Sequence, residues 1–153
     1  MKLKIPFFLL LHLLLVSVVH AQNQYGKFDS ATGAVTFTGD AEVVKAKFLK
    51  QLNDTKASVS EVFIWASPDN SKFVLTGRVQ NSSNKTNLIG LELQNNGGSL
   101  VASGPGTVFR CKGEPCNSCD WVLSGWRIQC KCYEPNCNNC RCNLEIEINI
   151  TLW

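Results

Sequence analysis

Eight cysteines lie in the 32 residues from Cys111 to Cys142, and the chain has no others. The spacing C-x4-C-x2-C occurs twice, at Cys111/Cys116/Cys119 and at Cys132/Cys137/Cys140. Cys130 and Cys142 each sit two residues from a member of the second triplet. Thiols so arranged can staple a fold, ligate a metal or exchange with other thiols. An even count in a segment poor in apolar residues points to staples wherever the compartment is oxidising. Eight thiolates also suffice for two tetrahedral four-cysteine sites of the kind that hold zinc or Cu(I). The triplet spacing by itself matches plant-type [2Fe–2S] ligation, although nothing else in the chain does. Two C-x-x-C units, Cys116–Cys119 and Cys137–Cys140, have the spacing of redox pairs. Neither precedes a helical pattern that would lower the first thiol's pKa, so structural use is the expectation. The reading is disulfides and no cofactor, with zinc on Cys111, Cys116, Cys119, Cys130, Cys132, Cys137, Cys140 and Cys142 as the alternative.

The compartment is argued from the N-terminus. Lys2 and Lys4 precede an apolar stretch from Ile5 to Val19, and Val19-His20-Ala21 precedes Gln22. That is the pattern of a secretory leader over residues 1–21, cleaved near Ala21–Gln22. The apolar stretch is interrupted by His12 and falls short of the ~20 residues a membrane span needs. Residues 22–153 are therefore expected as a single exported domain, secreted or periplasmic, with no membrane span. Export suits disulfides better than free thiolates.

Removing the leader changes the available chemistry. Both histidines, His12 and His20, and the sole methionine lie within it. Residues 22–153 thus lack any Ser-His-Asp or Cys-His arrangement and any imidazole or thioether ligand. Loss of Lys2 and Lys4 leaves 13 basic against 12 acidic residues, a net charge of +1 where the full chain has +3. No basic run remains to hold nucleic acid. No enzymatic role is expected.

The elements that position the cysteines follow from periodicity. Ala34–Thr38 reads as a strand, and Asp40 as the cap of a helix over about 41–52. Ala41, Val44, Phe48 and Leu52 form its apolar stripe, while Lys45, Lys47 and Lys50 form a solvated face. Residues 61–66 and 72–80 make a hairpin about Ser67-Pro68-Asp69-Asn70-Ser71. After a loop over 81–86, residues 88–94 and 99–103 make a second hairpin, and Gly104-Pro105-Gly106 breaks the chain. The sequons at Asn53, Asn81, Asn84 and Asn149 are read as chance matches.

Within the cysteine segment, 126–132 and 140–152 each alternate apolar and polar residues. Paired antiparallel through 133–139, they set Cys132 opposite Cys140, Cys130 opposite Cys142 and Trp126 opposite Ile146. Opposed Cα atoms lie within disulfide range, which predicts bridges Cys130–Cys142 and Cys132–Cys140. Cys111, Cys116, Cys119 and Cys137 then form two further bridges. Trp126 falls on the core face, and Trp121 is left as a possible binding surface for a protein or glycan partner. The expected fold class is α+β: one helix packed on a mostly antiparallel sheet, with the cysteine-rich module 111–142 inserted between the last strands. The expected function is a small exported non-enzymatic protein, an envelope, surface or binding module. The alternative is an exported thiolate metal-binding protein.

Overall fold

The computed structural model describes residues 24–52, 55–80, 86–102, 106–134 and 137–150. The leader, Asn53, Asn81, Asn84, the side chain of Asn149, Gly104-Pro105 and Trp153 lie outside them.

The helix starts where its cap residue dictates. Asp40 is extended, and its carboxylate accepts from the backbone N–H groups of Glu42 (2.9 Å) and Val43 (3.2 Å), two of the donors that a first helical turn leaves open. Helix α1 runs over Ala41–Gln51 and buries Val44 and Phe48, the centre of the apolar stripe. At its other end Arg110 donates to the Gln51 carbonyl at 2.8 Å, placing a cation where the helix dipole is negative.

The remaining elements are strands. They are β1 (Gln24–Asp29), β2 (Ala34–Phe37), β3 (Ser58–Ala66), β4 (Phe73–Gln80), β5 (Thr86–Asn96), β6 (Ser99–Ala102), β7 (Gly106–Glu114), β8 (Cys119–Ser124), β9 (Arg127–Cys132) and β10 (Arg141–Ile150). β3 and β4 form the first expected hairpin, β5 and β6 the second. In the first turn the hydroxyls of Ser67 (2.6 Å) and Ser71 (2.9 Å) and the Ser71 backbone N–H (3.1 Å) all donate to Asp69. The Ser67 hydroxyl, foremost, holds that carboxyl below the ordinary carboxylate range.

β5 is longer than its neighbours and divides its free edge. Leu88–Leu91 pairs with β7, and Leu93–Asn96 pairs with β6. Through β6 the sheet continues to β1 and β2, and β2 returns beside β3, so that β3-β4-β5-β6-β1-β2 nearly closes. Through β7 it branches to β10. Over the described residues the fold is accordingly a mostly-β one with a single helix, rather than clearly α+β. Strands at 24–29 and 119–124, absent from the periodicity reading, account for the shift.

Alternation gives the β4–β5–β7 region two faces. Leu75, Ile89 and Val108 point inward with Phe48 into the main core. Val74, Leu88, Phe109 and Cys111 point outward into a second core, covered by the β8–β9 hairpin. A glycine admits one aromatic ring on each face. A Cβ on Gly77 would lie 2.8 Å from Phe48 Cδ2, and one on Gly90 would lie 3.1 Å from Trp121 Cζ2.

Candidate functional site

β7 and β10 pair directly, Leu144 opposite Cys111 and Cys142 opposite Gly113. Residues 115–140 are thus an insertion between two neighbouring strands. Inside it, β8 and β9 form a hairpin through Gly125-Trp126, with Cys119 opposite Cys132 and Trp121 opposite Cys130. Gly125 takes a φ of 61°, the left-handed value that a two-residue hairpin turn needs at its first position.

The bridges are Cys111–Cys130, Cys116–Cys132, Cys119–Cys142 and Cys137–Cys140, with Cα separations of 5.8, 6.0, 6.0 and 5.4 Å. All eight cysteines are paired. The expected pairs Cys130–Cys142 and Cys132–Cys140 are therefore replaced. The premise of that register fails first, because β9 pairs with β8 and β10 pairs with β7. The hairpin turns its sulfur-bearing face toward the sheet. Cys130 and Cys119 then bond between layers, to Cys111 of β7 and Cys142 of β10, and Cys132 bonds to Cys116 ahead of the hairpin; none bonds across it.

The two tryptophans exchange the places the sequence suggested. Trp121, expected as a possible binding surface, is buried, 3% exposed, with its ring edge-on to Phe109 at 6.3 Å between centroids. Its indole N–H donates to the Thr76 hydroxyl at 3.0 Å, and that hydroxyl donates to the Val74 carbonyl at 3.1 Å. A buried indole nitrogen and a fully buried threonine thus satisfy each other. Trp126 is no part of the core face. It occupies the hairpin turn, 72% exposed, with the Arg127 guanidinium 4.4 Å above its ring.

Beside that turn lies an open cleft of about 450 Å³. Its apolar lining comes from Trp126 and Ile128 of the hairpin, Phe109 of β7, and Leu144 and Ile146 of β10. Lys72 and Glu92, paired at 2.6 Å, also line it. The apolar face of β10 explains the cleft. The hairpin covers Leu144 but stops short of Ile146 and Ile148, which remain 56% and 66% exposed. On its other face β10 is polar, with Glu145 2.8 Å from Lys112 and Glu147 2.8 Å from Arg110.

The sulfurs form a compact group. Those of Cys111, Cys119, Cys130 and Cys142 all lie within 4.8 Å of one another, as do those of Cys116, Cys132 and Cys142. A four-thiolate zinc site sets its sulfurs roughly 3.8 Å apart at Zn–S bonds of ~2.3 Å, so the first group fits such a site in spacing. As bridged sulfurs they are not thiolates, and the fit belongs to the reduced chain alone. Each triplet proposed for [2Fe–2S] ligation is split: Cys111 and Cys119 fall in one group, Cys116 in another.

These features define the class: a small, mostly-β protein stabilised by disulfides, whose cysteine module covers one face of a nearly closed sheet. Among the described residues no helix is long and apolar enough to cross a membrane. No protein-family model, curated protein or solved structure matches the chain.

Proposed function

We propose that the chain is an exported, non-enzymatic binding module that engages a protein partner at the cleft beside the hairpin tip. Trp126 carries this reading. A 72%-exposed indole with an arginine stacked on it stands on a turn whose strands are bridged to the sheet. Tryptophan and arginine on such a support offer large contact area at little conformational cost, the usual character of an interface anchor. Ile146 and Ile148 extend the exposed apolar surface along β10. The mostly apolar lining favours a protein side chain over a sugar. Four bridges suit an oxidising destination, and the lack of histidine after residue 21 supports a role without acid–base catalysis.

Two measurements test the proposal. Intact mass of the exported protein is expected to show a chain starting at Gln22, one hydrogen lost per cysteine and no alkylatable thiol. Trp126→Ala is expected to weaken capture of the partner by about tenfold or more, while moving stability by less than ~0.5 kcal/mol. Undiminished capture by the variant contradicts the reading, and transfer of binding to a glycan panel redirects it.

The four sulfurs within 4.8 Å favour a second reading, a thiolate metal site on Cys111, Cys119, Cys130 and Cys142. The same mass experiment separates the two. Alkylatable thiols on those four cysteines, with about one bound ion per chain, support metal over staples.

A further inference from the structure

We propose that Cys137–Cys140 is a thiol-exchange site, through which a low-molecular-weight thiol reaches an otherwise shielded series of sulfurs. Burial sets this bridge apart. Cys111, Cys116 and Cys119 are 0%, 0% and 2% exposed, and each belongs to a different one of the other three bridges. Cys137 and Cys140 are both half-buried, so their bridge alone has no buried member. Loop length separates it again. Its partners are 3 residues apart, against 16, 19 and 23 for the others. A bridge stabilises less as the loop it closes shortens.

Its inner neighbour is another bridge. The sulfurs of Cys140 and Cys132 lie within 4.8 Å of each other, with the Glu134 carboxylate in the same group. Cys132 in turn groups with Cys116 and Cys142, and Cys142 with Cys111, Cys119 and Cys130. The sulfurs therefore run without a gap from the surface loop to the buried bridges. Glu134 is fixed in place by Asn117, whose backbone N–H (3.1 Å) and side-chain amide (3.2 Å) both donate to it.

The chemistry follows from these positions. With the Glu134 carboxylate 3.6 Å from Cys140 Sγ, attack is assigned to Cys137, the sulfur of the pair outside the Cys132–Glu134–Cys140 group. Attack forms a mixed disulfide on Cys137 and expels Cys140 as a thiolate, which takes a proton from solvent and donates its S–H to Glu134. A second external thiol resolves the mixed disulfide, leaving two protein thiols and one oxidised external disulfide. Before it is protonated, the Cys140 thiolate is also placed to attack Cys132. That step forms Cys132–Cys140 and releases Cys116 as the new thiolate, so the reducing equivalent moves inward.

Reduced glutathione is the probe. The fully oxidised protein is exposed to it, quenched with acid at intervals, alkylated and mapped by mass spectrometry. Cys137 is expected to become labelled about tenfold or more ahead of every cysteine except Cys140 and Cys116, which share the second thiol through the inward step. Reduction that begins at another bridge, or at all four together, overturns the proposal. In Cys137→Ser the unpaired Cys140 is expected to exchange with Cys132, so that the free thiol is found largely on Cys116. Retention of the thiol on Cys140, with Cys116–Cys132 intact, overturns the inward step. Cys140→Ser is the control, its thiol staying on Cys137. If either variant fails to fold, the wild-type time course decides the matter alone.

Discussion

On one face of the β4–β5–β7 sheet a helix sets Phe48 against Gly77; on the other a hairpin sets Trp121 against Gly90. The packing device is the same, an aromatic ring lowered onto the position where a strand lacks a side chain. What holds each cover in place is different. Helix α1 satisfies its own backbone hydrogen bonds and needs only a cap and an apolar stripe to stay on the sheet. A lone two-stranded hairpin is marginal in water, and β8–β9 is bridged to β7, β10 and the loop before it. All four bridges begin and end between Cys111 and Cys142. Covalent reinforcement therefore stops at the module, and the nearly closed sheet beneath is held without a covalent tie, by burial and its hydrogen bonds.

The comparison can be broken most sharply at the two rings. Phe48 is fully buried in the main core, so Phe48→Ala is expected to cost ~3–5 kcal/mol in denaturant unfolding of the whole protein. Trp121→Ala, with the bridges intact, is expected at or below about 3 kcal/mol, since its hairpin stays tethered. A larger cost for Trp121 than for Phe48 would reverse the assignment of roles.

The glycines sharpen it. Gly77→Ala puts a methyl 2.8 Å from Phe48, and Gly90→Ala puts one 2.5 Å from Val74 and 3.1 Å from Trp121. Each is expected to cost about 1–3 kcal/mol, with separate signatures. Gly77→Ala should weaken the helical circular dichroism and leave Trp121 fluorescence unchanged. Gly90→Ala should do the converse. Smallest is Asp40→Ala, which removes the helix cap and is expected to cost ~1 kcal/mol without altering the rate at which the module's bridges are reduced.

The helix, both long hairpins and the position of the cysteine module between the last strands were legible in the sequence, because each rests on local signals. Asp40 caps, the 41–52 stripe has a helical period, and Ser67–Ser71 and Gly97-Gly98 turn the chain. β1 was not legible, since Gln24–Asp29 offers only Tyr25 and Phe28 as apolar residues and lies between β2 and the distant β6, pairing with both. The cysteine pairing failed for a related reason. Alternation over 126–132 shows a strand but not its partner, and the nearest regular strand in sequence, β10, was already taken by β7. Ser124-Gly125 was the available signal. Read as a turn, it places Trp126 at the tip, removes it from the core face and makes 119–124 the partner of 127–132. Which tryptophan is buried follows from that one turn.

The central claim, that the bridges hold the hairpin cover and not the barrel, is tested most directly by amide hydrogen exchange on the fully reduced and alkylated protein. Amides of β8 and β9 are expected to lose their protection, while those paired across β3, β4 and β5 keep theirs. Loss of protection throughout the sheet, or an undisturbed β8–β9 hairpin, would contradict it.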